Sequence, residues 1–217
     1  MSVPTGLSLG GVIMTLLEFC SVILFLIGGL RYYKLTKLAS TAKCSRTALA
    51  GVISACIGGL PNACDKLCWT FFSYDTWFNS TWMFFFVGIA YILLFISALR
   101  LFREDRPEGT KLLSLPAGTV LFSAHKIMKY CSMLAASVGM LGFYITMCKK
   151  ARRLIGGRAF LYLVTLFTTV FLIVWSAAAS FTSPLPNIIA QTVNSLGYIA
   201  FIAVNGMVMK KLTVKEK

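Results

Sequence analysis

Acidic side chains are scarce in this chain: seven Asp and Glu stand against 21 Lys and Arg, and there is a single histidine, His125. Charge of either sign is thin, at 13% of 217 residues, where a soluble domain carries about 25%. So little charge excludes a soluble globular enzyme, a disordered protein and a nucleic-acid-binding module; no nucleic-acid partner is expected. One histidine cannot supply an HExxH pair, no Cys-x-x-Cys is present, and no run of acids or histidines offers a proton or redox chain. Zinc asks for about four ligands, whereas Cys64 and Cys68 stand one helical turn apart with no second pair beside them. Most of the seven cysteines fall in or beside apolar runs, where a thiol behaves as a small hydrophobe. No metal, cofactor or catalytic residue is nominated, and the chain reads as non-enzymatic.

What the chain has instead is apolar sequence. Hydrophobic residues make up 58% and mean hydropathy is +0.79, so the lipid bilayer is the expected solvent. A hydrocarbon core of about 30 Å takes roughly 20 apolar residues as helix. Leu7–Leu30 meets this with one charge inside, and its length with no basic residue ahead of it argues against a cleaved leader. Thr47–Cys64 is rich in small residues and is the weakest candidate. Thr76–Leu99 is uncharged throughout, with Trp77 and Trp82 at its start, and Tyr130–Cys148 follows a polar linker, Glu104–Lys111. From Ala159 to Met209 there is no charge, and the turn-forming string Thr182–Asn187 divides this stretch into Ala159–Phe181 and Ile188–Met209. The expectation is an all-α, polytopic helical membrane protein of about six apolar helices. It forms a single integral membrane domain over residues 1–217, with halves 1–106 and 112–217.

Basic clusters follow the first, third, fourth and sixth segments. In a simple zigzag the third and fourth clusters fall on opposite faces, against the positive-inside rule. Either Leu112–Ala124 is a seventh crossing, or one segment lies in the interface or re-enters. A faint repeat runs through the chain. Glu18-Phe19-Cys20-Ser21 and Lys129-Tyr130-Cys131-Ser132 are 111 residues apart, and Tyr91-Ile92 and Tyr198-Ile199 are 107 apart.

Glu18 is the one acid within a strong span. A charge at mid-bilayer costs at least about 2.5 kcal/mol on insertion scales, which makes it the candidate intramembrane functional acid. Asp65 and Lys66, with Trp69, suit a membrane-interface cap. His125, Lys126 and Lys129 read as a basic interfacial face. Asn79-Ser80-Thr81 fits the glycosylation sequon but lies three residues before Trp82, against the membrane surface.

Leu30-Arg31-Tyr32-Tyr33-Lys34-Leu35-Thr36-Lys37 is similar to the basic-aromatic segment of the Pex11-type family of peroxisomal, and in trypanosomatids glycosomal, membrane proteins. Asp65-Lys66-Leu67-Cys68-Trp69 resembles that family's D-N-x-x-W segment, Trp82–Arg103 its apolar run and Val193–Lys211 its glycine-containing tail. Lys66 and Thr36 replace the family's Asn and Gly. The resemblance implies both termini in the cytosol, a membrane-surface or targeting role for Arg31, Lys34 and Lys37, and Asp65 and Trp69 as motif residues. It further implies self-association, binding of anionic lipid headgroups and a role in remodelling or proliferating a peroxisome-type membrane. The basic flanks alone suit the endoplasmic reticulum or plasma membrane equally well. The rival expectation is a small-solute channel or transporter with Glu18 lining the path.

Overall fold

The computed structural model describes residues 8–72, 79–102, 125–178 and 184–215. Six α-helices account for nearly all of them: α1 (Leu9–Ala39), α2 (Ala42–Phe72), α3 (Asn79–Arg100), α4 (His125–Ile155), α5 (Leu161–Ala178) and α6 (Pro184–Lys215). No strand occurs among the described residues. Five stretches are long and apolar enough to cross a membrane: Leu9–Ala39, Ala42–Phe72, Trp82–Arg100, Tyr130–Leu172 and Leu185–Val214. The fourth would be about 65 Å long as one helix, twice the hydrocarbon thickness. It is broken by the short 3-10 segment Gly156–Phe160, which joins α4 to α5. Gly156 sits there at φ +61°, a left-handed conformation that costs a residue with a Cβ about 1–2 kcal/mol.

Local chemistry sets the other boundaries. Ser8 caps α1, its Oγ accepting the Gly11 N–H at 3.1 Å. Ser40 and Thr41 make the tight link to α2, with Ser40 fully extended. Pro61 lies inside α2, where it removes one rung of the backbone ladder without ending the helix, as transmembrane helices tolerate. The expected turn at Thr182–Asn187 is corrected: α6 begins at Pro184 and includes Pro186 and Asn187. The first turn of a helix leaves its N–H groups unpaired anyway, so proline starts a helix as readily as it interrupts one.

The helices close into a ring in chain order, with α6 returning to α1. Four neighbouring pairs are antiparallel, among them α4 and α5, joined by the Gly156–Phe160 turn. Gly29 meets Val52 and Gly11 meets Thr70 between α1 and α2; Gly51 meets Ala90 and Gly58 meets Met83 between α2 and α3; Tyr162 reaches Asn205 and Trp175 reaches Pro186 between α5 and α6. Two pairs are parallel. Ser132 faces Gly88, Gly139 faces Tyr91 and Lys150 reaches Leu101 between α3 and α4. Ser21 bonds Ser195, Gly28 faces Phe201 and Arg31 reaches Ile202 between α1 and α6.

The simple zigzag is thereby corrected. Because α3 and α4 run the same way, the described basic residues in the last turns of α1, α3, α4 and α6, among them Arg31, Lys37, Arg100, Lys150, Arg153 and Lys210, gather at one end of the ring, the basic end. Leu112–Ala124, the candidate seventh crossing, lies outside the described residues, as does the polar linker.

The two parallel contacts also match in register. Gly28 and Gly139, 111 residues apart, are each pressed against the third helix of the opposite half; a Cβ on Gly139 would stand 2.7 Å from the Tyr91 carbonyl carbon. Ser21 against Ser195 corresponds at the same offsets to Ser132 against Gly88. Small residues at such crossings let helix backbones approach where lipid offers no hydrophobic drive to associate.

Polarity is distributed inside out relative to a soluble protein. Leu16, Ile23, Ile57, Leu134, Phe167 and Leu196 are exposed on the outside of the ring, while Thr15, Glu18, Gln191, Asn194 and Asn205 are buried within it. That is the arrangement a bilayer selects, because buried polar groups find partners only inside the ring. The molecule is an integral membrane protein.

Candidate functional site

The interior of the ring holds a cavity of about 190 Å³ to which all six helices contribute. α1 supplies Glu18, Ser21 and Phe25; α2 supplies Cys56 and Asn62; α3 supplies Phe84 and Tyr91; α4 supplies Met133 and Met140; α5 supplies Thr169 and Leu172; and α6 supplies Gln191, Asn194 and Tyr198. Helical spacing explains how each element reaches it. Glu18, Ser21 and Phe25 fall three and four residues apart on one face of α1, and Gln191, Asn194 and Tyr198 do the same on α6. The parallel packing of α1 against α6 lays these two stripes side by side.

The polar groups are tied across helices. Ser21 Oγ donates to Gln191 Oε1 at 3.0 Å and lies 2.9 Å from Ser195 Oγ. Asn62 Nδ2 donates to Glu18 Oε2 at 3.4 Å. Glu18 is 6% exposed. Among the described residues its carboxylate makes no ion pair, and Lys66 acts on it only from beyond that range. Asn194 Oδ1 is buried with no hydrogen-bond partner among the described residues. Opposite the polar groups the wall is aromatic and thioether: Phe25 meets Tyr198 and Tyr91 edge-on, with centroids 5.4 and 6.4 Å apart.

Toward the basic end the cavity stops at a dense layer. Tyr32, Phe143, Tyr162 and Phe201 are fully or almost fully buried there and meet edge to face, Tyr32 against Phe143 at 5.1 Å and Phe201 against Phe143 at 6.0 Å. Hydrogen bonds lock the layer. Tyr32 and Ser97 hydroxyls lie 2.9 Å apart, Tyr162 OH donates to Asn205 Oδ1 at 2.6 Å, and Asn205 Nδ2 donates to the Gly28 carbonyl at 3.2 Å.

Of the residues singled out from sequence, Glu18 alone lies in the cavity wall. Arg31, Lys34 and Lys37 are exposed on the last turns of α1 at the basic end, with Arg31 Nη1 donating to the Ile202 carbonyl at 3.1 Å and Lys37 Nζ 5.6 Å from the Tyr33 ring centroid. Asp65 and Trp69 are half-buried near the other end of α2, so two of the four segments behind the family resemblance, Leu30–Lys37 and Asp65–Trp69, stand at opposite ends of the ring. Asn62, Tyr91, Gln191, Asn194 and Tyr198 went unnoticed as site residues; the one signal for the tyrosines was the repeat that pairs Tyr91 with Tyr198.

Gly6-Leu7-Ser8-Leu9-Gly10 has the spacing of a nucleophile elbow, but Ser8 is the cap of α1 and no strand for such an elbow occurs among the described residues. Among the described residues no three His, Cys, Asp or Glu side chains group closely enough to hold a metal ion. No protein-family model matches the chain, and no curated protein or solved structure matches it.

Proposed function

We propose that the chain binds a small solute and passes it across a membrane, with the six-helix cavity as the binding site and Glu18 as its acidic determinant. One observation carries the reading: every helix contributes to a single cavity that holds a buried acid and amides, midway along the ring. Two halves of like direction, related about an axis along the membrane normal, are one of the ways transporters build a site at the repeat interface. The lining offers a carboxyl group, amides, hydroxyls and rings, groups able to hold a small solute.

Cys56 tests this, because it is a native cysteine in the cavity wall. A small water-soluble methanethiosulfonate applied to the protein in lipid vesicles is expected to modify Cys56, and Cys56→Ala to lose that adduct in the mass spectrum. A Cys56 that stays unmodified from both faces would make the cavity a sealed packing defect and remove the basis of the reading.

A second reading keeps its place on a different observation, the collection of Arg31, Lys34 and Lys37 with the other basic residues at one end. Each basic residue near an anionic surface contributes about 1 kcal/mol of attraction. On this reading the chain self-associates through small-residue faces and remodels a peroxisomal or glycosomal membrane without enzymatic activity. Replacing the three residues by Gln then alters organelle shape or targeting while Glu18→Gln does not. Unchanged organelles and targeting in the triple variant would sink this reading.

A further inference from the structure

Glu18 brings a carboxylate into a cavity whose described lining contains no Lys, Arg or His. The amides of Asn62 and Gln191 hydrogen-bond it, the Asn62 contact being long at 3.4 Å, but no ion pair compensates it among the described residues. The remaining unmet polar demand is also for a donor: Asn194 Oδ1, on a residue 3% exposed, is an acceptor with nothing to accept from among the described residues. Around these two acceptors the wall is mostly apolar, with Phe25, Tyr91 and Tyr198 offering ring surface. We propose that the solute is a small organic ammonium ion, its N–H donors directed to Glu18 and Asn194 and its carbon part against the aromatic wall.

The proposal rests on reading the cavity as the solute site and adds the chemical class. Ammonium ions gain both from the carboxylate and from aromatic faces in a desolvated site. A bare metal ion would need a shell of oxygen ligands that this mostly apolar wall does not provide. Size sets an upper bound: an apolar cavity of about 150 Å³ takes up benzene, so about 190 Å³ admits a ring bearing one or two further heavy atoms.

The test uses the purified full chain in detergent, read by thermal unfolding and by protection of Cys56 from alkylation. Ethylammonium, pentylammonium and benzylammonium are each compared with the corresponding alcohol, and benzylammonium also with benzoate. At least one ammonium is expected to bind tenfold or more tightly than its alcohol, with benzoate the weakest ligand, and Glu18→Gln is expected to erase that preference. Binding of alcohols or benzoate as tightly as the ammonium ions, with Cys56 still protected, would leave a solute cavity and overturn the cationic class. No binding and no protection by any of the seven compounds would overturn the class and the solute-site reading together. The comparison among ligands in the unaltered chain keeps the proposal falsifiable even where Glu18→Gln fails to fold.

Discussion

Asn205 shows how a single polar side chain is used where no water is available. It accepts from Tyr162 of α5 and donates to the Gly28 carbonyl of α1 while itself belonging to α6, so one amide joins three helices. Interhelical hydrogen bonds in membranes average somewhat under 1 kcal/mol and reach about 1.7. Asn205→Ala is therefore expected to destabilise the fold by about 1 kcal/mol, seen as earlier unfolding in a denaturing-detergent titration. Asn205→Asp is expected to be worse, because it removes the donor to Gly28 and adds a buried charge. At this scale the sequence was legible for Glu18, whose charge stands out in an apolar run. Gln191, Asn194 and Asn62 were not, because neutral polar residues at helical spacing look alike whether they line a cavity or merely pack. Only the parallel laying of α1 on α6 decides between those roles.

Among the elements, α3 ends in an unusual way. Phe102, just beyond it, has φ +61° and donates its N–H to the Ala39 carbonyl at 3.4 Å, tying the ends of α1 and α3 together. The open carbonyls of the last turn of α3 are met by a side chain from the next helix: Lys150 Nζ donates to Ala98 O at 2.7 Å, to Leu99 O at 2.9 Å and to Leu101 O. A cation at a helix C-terminus satisfies orphan carbonyls and opposes the dipole. Lys150→Met keeps the aliphatic stem and is expected to cost about 2 kcal/mol, the scale of hydrogen bonds to a charged group, with Lys150→Arg restoring most of it. A thermal-unfolding series on the three proteins checks this.

Six apolar segments were readable in the sequence and six helices resulted, but their ends were not. α1 and α4 run on through the basic residues that flank their apolar segments, because Lys and Arg are good helix formers and exposed at the basic end. The weakest candidate, Thr47–Cys64, is the middle of a 31-residue helix whose glycines are contact points.

For the whole molecule, direction is the property that no single segment could reveal. α1 begins beside the end of α2, away from the basic end, and α6 finishes at that end. With the basic end in the cytosol, a protease added to digitonin-permeabilised cells is expected to remove a tag placed after Lys215 and to spare one placed before Leu9. Removal of both tags would contradict the crossing pattern and favour the membrane-shaping reading, whose family resemblance implies both termini in the cytosol. The basic flanks conflict with a simple zigzag because a zigzag makes successive spans antiparallel, and α3 and α4 are parallel neighbours.

The pairing of α1 with α6 has a consequence in time. Ser21 finds Gln191 across 170 residues of chain, and synthesis at roughly 5–20 residues per second separates the two by about 10–30 s. Throughout that interval the first helix lies in the bilayer with its carboxylate and hydroxyl stripe lacking the partner that will cover it. The nascent first half is thus a substrate for whatever holds or degrades unassembled membrane helices. The speed with which the sixth helix arrives, as much as the strength of the finished contact, sets how many copies mature.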